Sequence, residues 1–174
     1  MKRKSSKATD FIANLHDYVV SDSHFRKTTH NKTESEIQCE LRPIITSYLQ
    51  EYYQGVGVRS SKSKAIESIY WEGQEGGYKG SRKCLFGSMN YPEFIILEPY
   101  LIAVEYKKST SGSLVKSGVG QSNMHIFSGE YDYVYFLFQD ESKGKKIRES
   151  MQLEEENKIR KTMWDKFNVY MRIV

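Results

Sequence analysis

Two apolar segments, residues 94–97 and 101–104, lie close together in the chain, and each has a carboxylate at one end. Glu93 comes directly before the first segment, and Glu105 follows the second, with Lys107 two residues later. Both segments have the length and apolar content of buried strands, whose side chains alternate between two faces. We therefore expect Glu105 and Lys107 on one face. Charged groups in a mostly buried strand are costly unless they bind something, so this part of the chain constrains both fold and function.

The length and composition of the chain are typical of a soluble globular protein. Its 174 residues are enough for one core of ordinary size and too few for two comfortable domains. Hydrophobic residues make up 39% and charged residues 28%, and no apolar stretch approaches the roughly 20 residues of a membrane span. The basic start of the chain is not followed by the apolar core of a signal peptide. We expect a cytoplasmic protein that is neither secreted nor inserted in a membrane.

The two cysteines, Cys39 and Cys84, lie in unlike contexts and lack the spacing of a metal site. Free thiols in an intracellular protein are favoured over a disulfide. We therefore expect neither a zinc site nor a disulfide.

Basic residues are clustered along the chain, although the net charge is only +4 and the bases of the first seven residues would account for it. Most of the clusters lie in Ser/Gly-rich segments: Arg59, Lys62 and Lys64; Lys79, Arg82 and Lys83; Lys107, Lys108 and Lys116; Lys143, Lys145, Lys146 and Arg148. Such clusters suit a phosphate backbone. For any single cluster, solvated loop charge is the more common explanation.

Helical and strand patterns alternate along the chain, which predicts a mixed α/β domain. We expect helices over about residues 8–20, from Thr33 onward, over 115–128 and over 152–166. We expect strands at 65–71, 94–97, 101–107, 131–138 and 168–174, with a hairpin or long flap over 60–88. Pro99 predicts a turn that makes the strands at 94–97 and 101–107 antiparallel neighbours. The helix over 115–128 would be a crossover between two strands.

The second helix has a clear start and one apolar face. Thr33 and Glu36 have the spacing of a capping box. The apolar positions form a stripe at helical spacing, and Pro43 is expected to bend it: Ile37, Leu41, Ile44, Ile45 and Tyr48. At about 100° per residue, Glu34 falls in the centre of that stripe and is the acid aimed inward. The alternative is that Glu34 only complements the helix dipole and stays half in water.

The order of these features resembles the PD-(D/E)xK nuclease superfamily. Pro92-Glu93 before an apolar strand, and Glu105-Tyr106-Lys107 on the next, are similar to the motif that names the family. The resemblance covers roughly residues 33–140. It implies a restriction-endonuclease-like core, with a mixed four- or five-stranded sheet flanked by helices. It also implies a single nuclease-like domain over residues 33–174, to which a basic N-terminal tail and helix over 1–32 are attached.

Two further features agree with this family, and one departs from it. A helix before the sheet often supplies a glutamate, and Glu34 ahead of Pro43 is similar; many members carry a glutamine after the lysine strand, and Gln121 is similar. The family usually has aspartate where this chain has Glu93, which is one methylene longer. A carboxylate would still bind metal with a shifted reach. The same change would also fit a degenerate descendant that only binds nucleic acid and does not cut it.

The resemblance implies a set of site residues. Carboxylates are the hard ligands that hold Mg²⁺ or Mn²⁺, so the metal ligands would be Glu93, Glu105, Glu34 and the carbonyl of Tyr106. Lys107, with its pKa lowered beside the cation, would orient or deprotonate the attacking water, and Gln121 would contact the water or nucleic-acid network. The residues expected to bind nucleic acid are Lys108, Lys116, Arg82, Lys83 and His125, with an ordinary exposed role equally open for His125.

The expected function is a metal-dependent endonuclease that acts on DNA rather than RNA, with loss of the 3′ oxygen as the resemblance implies. A homodimer that cuts two strands is expected, and a restriction, junction-resolving, mobile-element or viral nuclease would fit. One alternative is a catalytically inactive nucleic-acid-binding protein with the same fold, and another is an interaction module of a larger assembly. A third is that Glu105 and Lys107 form a plain ion pair on an edge strand, without catalysis.

Overall fold

The structure is a computed structural model that describes residues 5–21, 29, 31–71, 84–85, 88–89 and 91–174. This part of the chain forms six α-helices and seven strands, with one 3₁₀ turn over Lys143–Lys145. The helices are α1 Ser6–Ser21, α2 Glu34–Gly55, α3 Ser61–Glu67, α4 Gly112–Phe127, α5 Lys146–Ser150 and α6 Glu154–Phe167. The strands are β1 Ile69–Trp71, β2 Cys84–Leu85, β3 Ser88–Met89, β4 Phe94–Ile96, β5 Ile102–Ser109, β6 Tyr133–Asp140 and β7 Val169–Ile173.

Five of these strands form one mixed sheet in the order β1-β4-β5-β6-β7. The pairs β1/β4 and β4/β5 are antiparallel, whereas β5/β6 and β6/β7 are parallel. A separate antiparallel pair joins β2 and β3. The mixed α/β class and the five-stranded mixed sheet are thus confirmed. The antiparallel β4/β5 pair and the crossover through α4 are also as predicted.

Strand β5 extends beyond its antiparallel neighbour. It pairs with β4 only over residues 102–104, but with β6 over its whole length from Ile102 to Ser109. Among the described residues, the second half of β5 therefore has a strand partner only on the β6 side. On the other side lies the segment that enters β4, which contains Glu93.

Helices cover both faces of the sheet. Alternate residues of β5 pack into two different hydrophobic clusters, one on each face. Ile102, Val104 and Tyr106 belong to a core with the buried residues of α1 and α2. Ala103 belongs to a second core with residues of α4 and α6. We call these the α1/α2 face and the α4 face. Side-chain alternation places Glu105 and Lys107 on the α4 face.

Helix α2 starts as its sequence predicts. The N–H of Thr33 donates to Glu36 Oε2 at 2.6 Å, and the N–H of Glu36 donates to Thr33 Oγ1 at 3.3 Å, which completes the capping box. The predicted stripe is buried: Ile37, Leu41, Ile44, Ile45 and Tyr48. The helix continues through Pro43 to Gly55.

Helix α4 lies very close to the sheet at one residue. A Cβ added at Gly118 would lie 2.6 Å from Cε2 of Phe136 on β6, which is inside contact distance. The buried residues of α4 are Gly118, Ser122, His125 and Ile126. The missing side chain at Gly118 therefore sets how closely these residues approach the strands.

Two segments differ from their predicted structure. The strand predicted over 65–71 begins only at Ile69, and residues 65–67 end helix α3. Ala65 is fully buried there, and Ala65 and Glu67 are good helix formers, so helix propensity prevailed over the strand pattern. Helix α5 was not predicted. Residues 72–83 and 86–87 of the predicted flap over 60–88 lie outside the described residues.

Within the described ranges, each helix falls short of the length and apolar content needed to span a bilayer. Cys39 is an exposed free thiol.

Candidate active site

The residues predicted from the two charged strands meet at one point of the sheet. Glu93 precedes the first residue of β4, and Phe94 pairs with Val104, so Glu93 lies beside the part of β5 that β4 does not cover. The N–H of Tyr106 donates to Glu93 Oε2 at 2.9 Å, and Lys107 Nζ donates to Glu93 Oε1 at 2.8 Å. Glu93 therefore binds both the backbone and a side chain of the neighbouring strand.

One ammonium group lies among three carboxylates. Lys107 Nζ is 2.8 Å from Glu93, 3.4 Å from Glu34 on α2 and 3.9 Å from Glu105. The side chains of Glu93 and Glu105 are only 6% and 2% exposed, whereas that of Glu34 is 40% exposed. Glu34 thus approaches the site, as the first interpretation of the sequence predicted. Its side chain is also half in water, as the alternative predicted.

The carboxylates determine the charge of Lys107. Burial lowers the pKa of Lys107, but Glu93, followed by Glu105 and Glu34, raises it by more, so the net pKa is above the ordinary value. This direction is opposite to the lowered pKa expected from the sequence, because that expectation assumed a neighbouring cation. The protein's own groups keep Lys107 protonated at neutral pH.

Glu93 is the acid whose ionisation is most affected. Burial and the nearby Glu105 carboxylate raise the pKa of Glu93 to about 7, and the attraction of Lys107 offsets only part of this. Two buried carboxylates in such proximity resist being ionised together. A divalent cation would relieve that repulsion.

His125 is inside the site and not on a nucleic-acid surface. It is 2% exposed, and its Nε2 is in hydrogen-bond contact with Glu105 Oε1. Burial lowers the pKa of His125 to about 4, so the ring is neutral at pH 7 and donates its one N–H to the carboxylate. The sequence placed His125 opposite Ile126 on α4, but the close approach at Gly118 buries both residues. The exposed position expected for His125 is therefore wrong.

Two oxygens in this region are buried without a hydrogen bond. They are Gln121 Oε1 and Glu34 Oε1, and the second of these has only the ion-pair contact with Lys107 Nζ at 3.4 Å. Gln121 is half-buried one turn before His125, on the same face of α4. Such acceptors are unusual inside a protein and suit a site that receives a cation or a polar ligand.

Tyr106 separates the charged face from the apolar one. Its ring is fully buried on the α1/α2 face, where its hydroxyl donates to Gln139 Oε1 at 2.7 Å. Both backbone groups of a residue in an extended strand point to the same side. The carbonyl of Tyr106 therefore points to the side of Glu93, where its N–H already binds.

The donor chemistry of this cluster fits a hard divalent cation. Carboxylate and carbonyl oxygens are the ligands that Mg²⁺ prefers, and the raised pKa of Glu93 and the Glu34 oxygen that lacks a hydrogen bond are consistent with such a ligand. In the described part of the chain, no group of three or more His, Cys, Asp and Glu side chains is arranged to hold a metal ion. A ligand set of two carboxylates and one backbone carbonyl contains only two such side chains, so it is smaller than the groups of three or more just described.

Two of the lysines predicted to bind nucleic acid, Lys108 and Lys116, are described by the structure, and they lie on different elements. Lys108 lies on the face opposite Lys107 and forms an ion pair with Glu141 at 3.0 Å. Lys116 is exposed on α4. Arg82 and Lys83 lie outside the described residues.

The site is thus built from three elements that the sequence analysis had connected: the start of α2, the entry to β4 and the second half of β5. Helix α4 adds Gln121 and His125. Comparison of this chain with models of protein families, with curated proteins and with solved structures gives no significant match.

Proposed function

We propose that this protein is a metal-dependent endonuclease of the PD-(D/E)xK type, with a restriction-endonuclease-like core, that hydrolyses phosphodiester bonds of DNA. One observation carries the proposal. Two buried carboxylates, Glu93 and Glu105, meet Lys107 within 2.8 and 3.9 Å at a place where β5 has passed the end of its pairing with β4. A carboxylate pair with a lysine at the end of two central strands is the arrangement that the motif order implies.

The metal would be held by Glu93, Glu105 and the carbonyl of Tyr106, with Glu34 near enough to complete the set. When bound, Mg²⁺ or Mn²⁺ neutralises charge on the scissile phosphate and lowers the pKa of a water molecule. The protein's own part is to keep the oxygen ligands together. His125 supports this by fixing the carboxylate of Glu105.

Lys107 would act on the phosphate and on the attacking water. Its side chain is 20% exposed, and its ammonium is held by Glu93 in a fixed position. A fixed positive charge stabilises the negative charge that develops as a phosphodiester bond breaks. Gln121 supplies a polar group on the neighbouring helix face.

Cleavage of defined nucleic acids tests the proposal. The substrates are supercoiled plasmid, linear duplex, single-stranded DNA, a four-way junction and RNA, each in Mg²⁺, Mn²⁺ or EDTA. We expect metal-dependent cutting of DNA that falls by about 10²–10³-fold in Lys107→Met, because one positioned charge is removed. Lys166→Met changes an exposed lysine of α6 and should cut normally.

The alternative function makes a different prediction. A catalytically inactive nucleic-acid-binding protein would bind DNA with a strong salt dependence and cut none of the substrates. Equal cutting by wild type and Lys107→Met would instead remove the proposed site.

The proposed enzyme would act in the cytoplasm as a homodimer, since one small module has one site and a duplex has two strands. Sedimentation equilibrium with and without duplex DNA measures this. A monomer in both conditions would reject the homodimer and would imply that the enzyme cuts one strand at a time.

A further inference from the structure

A second charged cluster lies at the opposite edge of the sheet, on strand β7 and helix α6. There a cavity of about 200 Å³ is lined by Arg160, Lys161 and Trp164 from α6 and by Tyr170 and Arg172 from β7. Arg160 and Trp164 are four residues apart and so share a helix face, and Tyr170 and Arg172 share a strand face. The cavity is therefore a product of the two elements packing together.

Arg172 is held in one position by its neighbours. Its guanidinium lies 4.1 Å from the centre of the Tyr170 ring, and one of its nitrogens donates to the Tyr170 hydroxyl at 2.6 Å. A second nitrogen donates to the carbonyl of Met171 at 3.2 Å. These contacts reduce the entropy that the side chain would lose on binding a ligand.

The positive charges of this cavity have no acidic ion-pair partner within the part of the chain that the structure describes. No carboxylate of the described residues forms an ion pair with Arg160, Lys161 or Arg172, and Asp17 acts on Tyr170 only from a distance. Burial and the charge of Arg172 lower the pKa of Arg160, which reflects two guanidinium groups close together. Such like charges repel and favour an anion between them.

The size and shape of the cavity favour a phosphate group. A planar guanidinium fork matches two phosphate oxygens, so two arginines are well suited to one phosphate. A volume of about 200 Å³ is below the ~300 Å³ typical of pockets that enclose a whole small ligand. A phosphate within a longer chain fits better than a free cofactor.

The cavity is separate from the carboxylate site. Arg172 pairs with Leu137, which pairs with Tyr106, so it lies two strands away from β5, at roughly 10 Å by strand spacing. Tyr106, Leu137 and Tyr170 belong to the core of the α1/α2 face, whereas Lys107 is on the α4 face. A ligand here would not touch the acidic residues.

We propose that this cavity binds a backbone phosphate of a nucleic-acid strand and anchors that strand away from the site of cleavage. The anion chemistry stands on the cavity alone, whereas the choice of nucleic acid rests on the proposed nuclease function. Arg172 and Arg160 donate hydrogen bonds to the phosphate, and Lys161 contributes positive charge at the rim.

Binding measured in EDTA tests the anchor independently of cleavage. Fluorescence anisotropy of a labelled 20-nucleotide single strand and of the matching duplex is followed over a salt series. We expect Arg172→Gln and Arg160→Gln each to weaken binding about 10-fold and to reduce the salt slope by about 1. Arg172→Lys keeps the charge without the fork and should weaken binding less. Lys158→Gln, an exposed change on α6 outside the cavity, should bind as wild type.

Competition with inorganic phosphate and with thymidine monophosphate separates the possible sources of the anion. We expect both to displace the strand only at concentrations far above that of the oligonucleotide. Phosphate that binds in an Arg172-dependent way, with unchanged binding of the strand in both arginine variants, would overturn the anchor. Unchanged anisotropy for variants that unfold at the wild-type temperature would also overturn it.

The two proposals fail in different ways. Arginine-dependent binding without cutting in Mn²⁺ would reject the nuclease and keep the anchor. Metal-dependent cutting with unaltered binding in Arg172→Gln would reject the anchor and keep the nuclease.

Discussion

The two faces of the sheet differ although they share the same strands. On the α1/α2 face, β5 contributes Ile102, Val104 and Tyr106 to an aliphatic and aromatic core. On the α4 face, the same strand contributes Glu105 and Lys107. Buried apolar groups stabilise a fold, whereas buried charges reduce its stability unless they are paired. The alternation of one strand therefore keeps the stabilising core and the charged cluster apart, and each can be changed without the other.

A cavity on the apolar face should have the largest effect on stability. Leu15 on α1 is fully buried, so Leu15→Ala should lower the free energy of unfolding by about 2–5 kcal/mol. The affinity for Mn²⁺, measured by calorimetry at a temperature where the variant is folded, should not change. A large loss of that affinity would show that the two faces are coupled.

Removing the charge of Glu93 should change how stability depends on pH. The folded pKa of Glu93, about 7, is above its ordinary 4.5, so its favourable contribution is complete below pH 4.5 and is lost as the pH rises through 7. Glu93→Gln stays neutral and should gain up to about 3 kcal/mol relative to wild type over that interval. Urea unfolding at several pH values measures the difference.

The dependence of stability on pH measured for Glu93→Gln must be subtracted from that of wild type, because two histidines change the stability in the opposite direction. The pKa values of His16 and His125 are lowered to about 4, so their contribution to stability increases as the pH rises from 4 to 6.5 in both proteins. Mn²⁺ should raise the unfolding temperature of wild type and not that of Glu93→Gln. An equal rise in both would exclude Glu93 as a ligand.

Helix α4 offers a matched pair of glycines. Gly118→Ala should destabilise the protein by about 1–3 kcal/mol, because the new methyl group overlaps the ring of Phe136. Gly120 has open space around it, so Gly120→Ala should stabilise the helix by up to about 1 kcal/mol. Thermal unfolding measures both, and equal effects would contradict the close contact.

The smallest expected effect concerns the start of α2. Thr33→Ala removes the capping box and should cost about 1 kcal/mol. Glu34 is the next residue and approaches Lys107, so Mn²⁺ affinity should fall slightly as well. Thr46→Ala is the control, since its hydroxyl only donates to a carbonyl within the helix. A stability loss without any change in affinity would place Glu34 outside the site.

The sequence was sufficient where local rules decide the structure. The capping box at Thr33, the buried stripe of α2 and the antiparallel strands before and after Pro99 all follow from short-range patterns. The same patterns predicted that Glu105 and Lys107 share a face.

What could not be predicted depends on contacts between distant elements. His125 was assigned to a surface because helical spacing alone does not reveal that Gly118 lets α4 approach Phe136. The raised pKa of Lys107 depends on Glu34, Glu93 and Glu105 meeting in space. The cavity of Arg160 and Arg172 joins two elements whose individual patterns are ordinary.

The unequal lengths of β4 and β5 also bear on self-association. An interior strand that outruns its neighbour offers unpaired backbone groups, to which a strand of another molecule can add. The Tyr106 N–H donates to the Glu93 carboxylate on the side of β5 where the pairing with β4 has ended. Glu93→Ala would leave this backbone group open and is expected to aggregate, whereas Glu93→Gln keeps an acceptor oxygen. One carboxylate thus accepts a backbone hydrogen bond of β5 at the point where the proposed chemistry takes place.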